Sequence, residues 1–171
     1  MIHHAHSLRF AMLAVLLSAA RPAVAHEVPG PHAETEANRR IVTRAFDRWQ
    51  EGTGNFFQEV LHPEVVWTIT GSGPSAGTYH GQQALLDGAV TPFTARLKGP
   101  VRPVEKQVFA DGDHVIIHWQ GRAEARDDQT YDNRYAWILK MEDGKAAAVT
   151  AFLDLAPYDA IFDRIPGPAR R

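Results

Sequence analysis

The sequence predicts a single α+β domain, in which a cone-shaped, curved antiparallel sheet packs on about three N-terminal helices. Two observations lead to this fold class. Apolar residues recur at helical spacing in the first half of the chain, whereas long β-branched and aromatic runs between turn signals fill the second half. Helices followed by a sheet with one face to cover favour a layered α+β domain. A curved sheet that closes over helices leaves a cavity at its open end.

Composition supports one globular domain and sets residues 1–25 apart. The 171 residues include no cysteine, and 44% are hydrophobic. Arg9 precedes a short apolar run that ends in Ala-Val-Ala at 23–25, the pattern of a secretory signal peptide. We therefore expect a periplasmic or secreted protein that has no membrane contact after cleavage. Losing two basic and no acidic residues changes the formal net charge from −2 to −4, which disfavours nucleic acid as a partner.

Two helices are predicted to open the domain. After a Pro- and Gly-rich lead-in at 26–35, residues 34–50 carry apolar side chains at helical spacing, and Gly52 ends this helix. These side chains are Ile41, Ala45, Phe46 and Trp49. Asn55 is suited to cap a short second helix, which the His-Pro pair at 62–63 terminates.

A strand and a third helix are expected next. Residues 64–70 are rich in β-branched and aromatic side chains, and a Gly, Ser and Pro loop follows to Gly77. Residues 81–89 have a helical pattern, with a further turn toward Leu97 if the chain continues past a break at Pro92.

From residue 101 onward the sequence predicts an antiparallel meander of four strands. Turn signals at 111–112, 127–128 and 143–144 are 16 residues apart and separate long β-type runs. Gly121 falls inside one run and is a natural point for a bend or bulge. A helical turn over residues 156–162 is expected before the Pro-rich tail.

Four segments carry a resemblance to a known family: Val-Trp-Thr-Ile at 66–69, Ala-Gly-Thr-Tyr-His-Gly at 76–81, Tyr-Asp-Asn-Arg-Tyr-Ala-Trp at 131–137, and residues 142–154. Over residues 36–163 the chain resembles the SnoaL-like, ketosteroid-isomerase-related branch of the nuclear transport factor 2-like superfamily. The resemblance implies the fold predicted above, a pocket for a small apolar molecule, no cofactor, and pairing of two copies. Residues 164–171 are left as a tail.

The resemblance does not choose a reaction, because superfamily members include isomerases, polyketide cyclases, dehydratases, epoxide hydrolases and non-catalytic binders. Enzymes of the family often carry a carboxylate on the last strand, where this chain has Ala151. The epoxide hydrolases place an Arg and an Asp where this chain has His118 and Gln120, which disfavours epoxide opening.

Alternation along the predicted strands assigns candidate side chains to the pocket. On the strand over residues 131–141, the large apolar face is expected to point inward. This face consists of Tyr131, Asn133, Tyr135, Trp137 and Leu139. On the preceding strand, His118 and Gln120 are expected to line the same hollow. The outer face, where a homodimer would form, is then expected to present Val115, Ile117 and Trp119.

Three residues are candidates for acid–base chemistry: His118, Tyr135 and Asp154. His118 has an unperturbed pKa of about 6.5, which suits proton transfer near neutrality, although a satisfied buried imidazole is the alternative. The Tyr135 hydroxyl is suited to polarise a carbonyl oxygen, and Asp154 is a general base or else a capping acid. The expected ligand-binding residues are Trp67, Gln120, Tyr131, Asn133 and Trp137. No metal site is expected, because His114 and His118 would lie about 13 Å apart along a strand.

Two functions remain open at this point. One is a cofactor-free isomerase, cyclase or dehydratase that acts on a small apolar carbonyl compound. The other is a non-catalytic protein that binds such a molecule, or a dimeric accessory protein, and Ala151 favours it.

Overall fold

The computed structural model describes residues 30–167. The predicted signal peptide, residues 1–25, lies outside this range, so export stays a prediction. The described elements are α1 (Pro31–Glu51), α2 (Phe56–Val60), β1 (Leu61–Ile69), β2 (Gly77–His80), α3 (Gln82–Leu85), a π-helical turn (Leu86–Val90), α4 (Thr91–Thr94), β3 (Arg102–Asp111), β4 (His114–Glu124), β5 (Thr130–Glu142), β6 (Lys145–Leu153) and α5 (Leu155–Arg164). Within residues 30–167, no helix combines the length and the apolar character needed to cross a membrane.

Helix α1 begins three residues earlier than predicted, so the lead-in does not extend to residue 35. Pro31 lies in the first turn, where its missing N–H is not needed and its fixed φ already suits a helix. The predicted stop is confirmed, because Gly52 adopts the left-handed conformation with φ of 79°. The helix buries Val42 and Phe46 against the sheet.

The predicted cap of α2 is also confirmed. The Asn55 side-chain oxygen accepts hydrogen bonds from the backbone N–H groups of Phe57, at 3.1 Å, and Gln58, at 3.4 Å. The helix ends at Val60 and the chain passes directly into β1, so that the His-Pro pair lies in the strand. This arrangement buries Phe56 in the core.

The third helical segment is continuous through Pro92, and the predicted break there was wrong. A π-helical turn precedes the proline, and Pro92 lies in the first turn of α4. A residue without an N–H can be accommodated where the hydrogen-bonding pattern has already widened. The segment brings Leu85, Ala89 and Phe93 against the sheet as buried residues.

The strands form one six-stranded, curved and unclosed sheet in the order β2-β1-β6-β5-β4-β3. The predicted four-strand meander is confirmed as β3 to β6, paired antiparallel. Two features differ from the prediction. The loop before residue 81 contains the short strand β2, and β1 pairs with β6 in parallel, which makes the sheet mixed. No hairpin joins β1 to β6, so no turn fixed their relative direction.

The register between β4 and β5 corrects the predicted faces of β4. Trp119 is paired with Tyr135, whereas His118 is paired with Ala136. Directly paired residues lie on the same face of a sheet, so His118 cannot share the inner side with Tyr135. His118 is exposed on the outer face, and Gln120 is half-buried on the same face. The residues predicted to face outward are instead buried in the core: Val115, Ile117 and Trp119.

Gly121 occupies a position where two aromatic side chains approach the backbone. A Cβ at this residue would lie 2.7 Å from Trp119 Cζ3, 2.7 Å from Val101 Cγ1 and 3.0 Å from Tyr135 Cε2. The register of β3 against β4 also shifts next to Gly121, between Pro103 and Glu105, which is the pattern of a β-bulge. A bulge, one of the two features predicted for this position, therefore lies opposite Gly121, in β3.

We expect Gly121→Ala to lower the free energy of unfolding by roughly 1–3 kcal/mol, because the added methyl group overpacks the Trp119 and Tyr135 rings. Urea denaturation measures this change. Gly77→Ala is the matched control, since nothing lies within 4 Å of its would-be Cβ, and it should change stability by less than about 0.5 kcal/mol. Equal effects of the two substitutions would contradict this explanation.

Candidate functional site

A cavity of about 510 Å³ lies between the inner face of the sheet and the helices. Its volume is within the range of about 300–1,000 Å³ that is usual for small-molecule sites. The sheet contributes the lining residues Trp67, Ile69, Arg102, Trp119, Tyr135, Trp137, Ala151 and Leu153. Helices and loops contribute Trp49, Gly52, Gly54, Asn55, Phe57, Leu85, Ala89, Val90, Phe93, Thr94, Gly99, Pro100, Val101 and Tyr158.

All four tryptophans of the chain line this cavity. Trp137 is central among them, with its ring centroid 4.9 Å from that of Trp67 and 4.9 Å from that of Trp119, both edge-on. Trp119 also stacks on Tyr135 at 4.0 Å with an interplanar angle of 9°. Trp49 lies 5.1 Å from Trp119 and extends the wall toward the end of α1. The wall is therefore mainly aromatic.

Phe46 fixes these rings from behind. Its centroid lies 5.5 Å from Trp119 and 5.7 Å from Trp137, and Phe46 itself is fully buried. Tilted and edge-to-face contacts of this kind stabilise aromatic pairs beyond the burial of their area. Because each ring is held by others, the shape of the cavity is set before any ligand binds.

A buried hydrogen-bond network lies next to the aromatic wall. The hydroxyl groups of Tyr131 and Tyr135 are 2.6 Å apart, and the Asn133 amide donates to the Tyr131 oxygen at 2.9 Å. The same amide donates to the backbone oxygen of Asp154 at 2.8 Å, and its side-chain oxygen accepts from the N–H of Arg134 at 2.7 Å. Asn133 thus connects β5 to the start of α5.

Burial keeps the tyrosines of the site protonated. Loss of solvation raises the pKa of Tyr131 to about 12, against the hydrogen bonds from Tyr135 and Asn133, which lower it. Burial likewise raises the pKa of Tyr135 and of Tyr158, because the phenolate would be charged in an apolar setting. At neutral pH these groups are therefore hydrogen-bond donors rather than bases.

Trp119 carries an unsatisfied donor. Its side chain is 2% exposed, and the indole Nε1–H has no hydrogen-bond partner in the described residues. A buried donor without a partner costs about 1–3 kcal/mol. The ring nevertheless keeps its place, since it stacks on Tyr135.

Arg102 is the charged residue of the lining. Its Nη1 donates to the backbone oxygen of Trp49 at 2.8 Å. The guanidinium lies flat against Gly52, where a Cβ would be 2.8 Å from Nη2. Arg102 takes part in none of the ion pairs of residues 30–167. Arg122, which lies opposite Arg102 on β4, is by contrast paired with Asp132 at 2.8 Å.

The structure brings some of the predicted site residues together and separates others. Trp67, Tyr135 and Trp137 line the cavity. The buried Tyr131 is hydrogen-bonded to Tyr135, and the buried Asn133 donates in turn to Tyr131.

His118 and Gln120 lie outside the cavity, on the other side of the sheet. They border an outer groove together with Glu105 and Arg134, and the Gln120 amide donates to Asp132. Within residues 30–167, no group of three or more His, Asp or Glu side chains is arranged to hold a metal ion.

Asp154 is the N-cap of α5 and does not reach the cavity. Its Oδ1 accepts a hydrogen bond from the N–H of Ala156 at 3.0 Å, and the residue is exposed. The capping alternative stated for this residue is therefore the observed arrangement, and its carboxylate is not among the residues that line the cavity. A strand that ends at Leu153 frees the next side chain from the alternation.

Sequence reasoning missed Arg102, Phe57 and Tyr158 as lining residues. Tyr158 belongs to α5, which was predicted only as a terminal turn, and its ring stacks on Phe93 at 4.2 Å. No local pattern marks Arg102, because its position depends on the contact between the edge strand β3 and the end of α1.

We expect stability to fall as pH rises above about 10, the pKa of an unfolded tyrosine, because the unfolded chain ionises there while Tyr131 stays protonated to about pH 12. Each tyrosine with a raised pKa contributes roughly 1.4 kcal/mol per pH unit to this loss. Urea unfolding at pH 9 and pH 11 measures it. Tyr158→Phe should reduce the slope, and an unchanged slope would contradict the raised pKa of Tyr158.

Comparisons with solved structures place this fold among known proteins. A nuclear transport factor 2-like protein from Burkholderia xenovorans LB400 is similar at 19% identity and a TM-score of 0.57, over 74% of this chain and 96% of that chain. A candidate SnoaL-like polyketide cyclase from Jannaschia sp. CCS1 is similar at 16% identity and a TM-score of 0.59, over 84% and 99%. TerC co-crystallised with polyporic acid is similar at 18% identity and a TM-score of 0.58, over 74% and 98%.

At these identities the structural similarities show the fold alone. A comparison with curated proteins found no match. The SnoaL-like domain family matches residues 42–149, which is more than half of the chain and includes most of the sheet. The resemblance seen in the sequence is therefore confirmed: the chain belongs to the SnoaL-like family, and its fold is similar to that of nuclear transport factor 2-like proteins.

Proposed function

We propose that the protein binds a small, mainly aromatic molecule in the cavity, without acid–base catalysis by the side chains that line it. One observation carries this proposal. The described lining combines four tryptophans with three titratable side chains, Arg102, Tyr135 and Tyr158. None of the three is a proton acceptor at neutral pH, since arginine stays charged and both tyrosines have raised pKa values.

An isomerase, cyclase or dehydratase of the predicted kind needs a group that takes a proton from the substrate. The two candidates for that role lie elsewhere, with His118 on the outer face and Asp154 capping α5. Ala151, which stands where family enzymes often carry a carboxylate, is buried in the cavity wall. The arrangement therefore favours a binding protein over an acid–base enzyme.

The family supports a small-molecule role in general terms. The TerC neighbour, which was co-crystallised with polyporic acid, has the same fold as this chain. The wall of stacked and edge-on rings is suited to a flat ligand, because aromatic groups pack best in offset-stacked or T-shaped arrangements.

Calorimetric titration with a panel of aromatic ketones and lactones tests the binding function. We expect at least one member of the panel to bind. Val90→Trp, which places a larger side chain in the cavity at the π-helical turn, should weaken the affinity for that ligand at least tenfold. His118→Ala is the matched control on the opposite side of the sheet and should change the dissociation constant less than twofold. Thermal unfolding of both variants checks that they fold.

Chromatography of the same mixtures checks for turnover. No product should form. A product whose yield depends on His118 would support the enzyme instead, and a panel without a single ligand would contradict the binding function.

We also propose that two copies pair through the outer face of the sheet. The side chains predicted for this contact are buried, but a different apolar set takes their place. Phe109, Ile116 and Ile138 are paired in one row across β3, β4 and β5, and Phe152 and Val66 extend the surface over β6 and β1. Phe109 is 55% and Phe152 43% exposed. Several exposed apolar side chains on one face of a sheet are typical of an association site.

Light scattering at micromolar concentration should give the mass of two chains. Ile116→Lys places a charge in the middle of this surface and should give the mass of one chain, because an unpaired charge in an apolar contact is costly. Gln50→Lys, on an exposed position of α1, is the control and should leave the mass unchanged. A single-chain mass for the unmodified protein would contradict the proposal.

A further inference from the structure

The cavity carries one formal charge in its described lining, and that charge is positive. No carboxylate is among the described lining residues, and Arg102 takes part in none of the ion pairs of residues 30–167. Two basic side chains on nearby positions of β3 and β4 do have ion-pair partners. Lys106 is paired with Asp47, and Arg122 is paired with Asp132. Of these three basic side chains, the one without an ion-pair partner is therefore the one that lines the cavity.

Arg102 is also held in place. The hydrogen bond from its Nη1 to the backbone oxygen of Trp49, at 2.8 Å, and its contact with Gly52 fix the plane of the guanidinium. Nε and Nη2 make no hydrogen bond within the described residues, so these two donors of the planar group remain. A fixed guanidinium with adjacent donors matches the two oxygens of a carboxylate.

The other unsatisfied polar group of the lining also donates. The Nε1–H of Trp119, a residue of the lining, has no partner in the described residues. A lining of donors around aromatic rings is complementary to a ligand whose polar atoms are acceptor oxygens.

We infer that the ligand of this cavity is an aromatic carboxylate, with its ring system among the tryptophans and its carboxylate on Arg102. The inference rests on the binding function proposed above and gives the ligand its chemical class. The aromatic wall supplies affinity for any flat apolar body, and Arg102 makes the site select an anion.

Two probes of the same shape and different charge test the inference: biphenyl-4-carboxylate and biphenyl-4-carboxamide, titrated calorimetrically at pH 7. We expect the carboxylate to bind at least tenfold more tightly than the amide, and its affinity to fall as sodium chloride is raised. Arg102→Gln should abolish the preference and leave the affinity for the amide within about twofold. Arg102→Lys keeps the positive charge but lacks the planar donors, so this variant should retain part of the preference for the carboxylate.

Arg40→Gln, an exposed change of charge on α1, is the matched control and should retain the full preference. Equal affinity of the two probes for the unmodified protein, or a preference that survives Arg102→Gln, would overturn the inference while the binding function stands. If neither probe binds at millimolar concentration, the inference is overturned, and the panel of ketones and lactones decides separately on the binding function. Melting temperatures of the variants verify that the loss is local.

Discussion

The pairing of Trp119 with Tyr135 across β4 and β5 is the constraint on which the site depends. Once these residues are opposite each other, every second side chain of both strands is committed to the same side of the sheet. Ile117 then lies beside Trp137 inside, and His118 lies beside Ala136 outside. A shift by one residue would exchange the two sets, so the aromatic cavity and the polar outer groove have a single origin.

Asn133 gives this arrangement its rigidity. One buried amide joins a phenol, the N–H of the next residue and both backbone groups of Asp154. Since the amide is satisfied on both its oxygen and its nitrogen, its burial is not a penalty. The same bonds tie the ring of Tyr135, through Tyr131, to the point where β6 gives way to α5. Cavity shape and the attachment of the last helix therefore depend on one side chain.

Much of the fold was predictable because its signals are local. The turns of the meander, the Asn55 cap and the Gly52 stop each depend on a few neighbouring residues, and all three are present. The inner face of β5 was also predictable, because its large residues all lie on one side. The parallel pairing of β1 with β6 was not, since it joins segments about eighty residues apart without a turn between them.

The site was only partly predictable, for a related reason. On β4 both faces carry residues that could be buried, and the positions at which epoxide hydrolases of the superfamily place pocket residues favour the polar face with His118. In such a case the pairing with the neighbouring strand determines which face is buried, and the residues of β4 alone do not indicate that register. Arg102 was missed because it meets the cavity through the end of α1, a contact between segments far apart in the chain.

The placement of all four tryptophans around one hollow has an optical consequence. All of the indole emission of the described domain comes from rings around this cavity, whose neighbouring centroids lie 4.9–6.2 Å apart and are close enough to exchange excitation. The intrinsic tryptophan fluorescence of the protein therefore reports mainly on changes in the cavity. Events on the outer face of the sheet, where none of these rings is exposed, would leave little trace in the same spectrum.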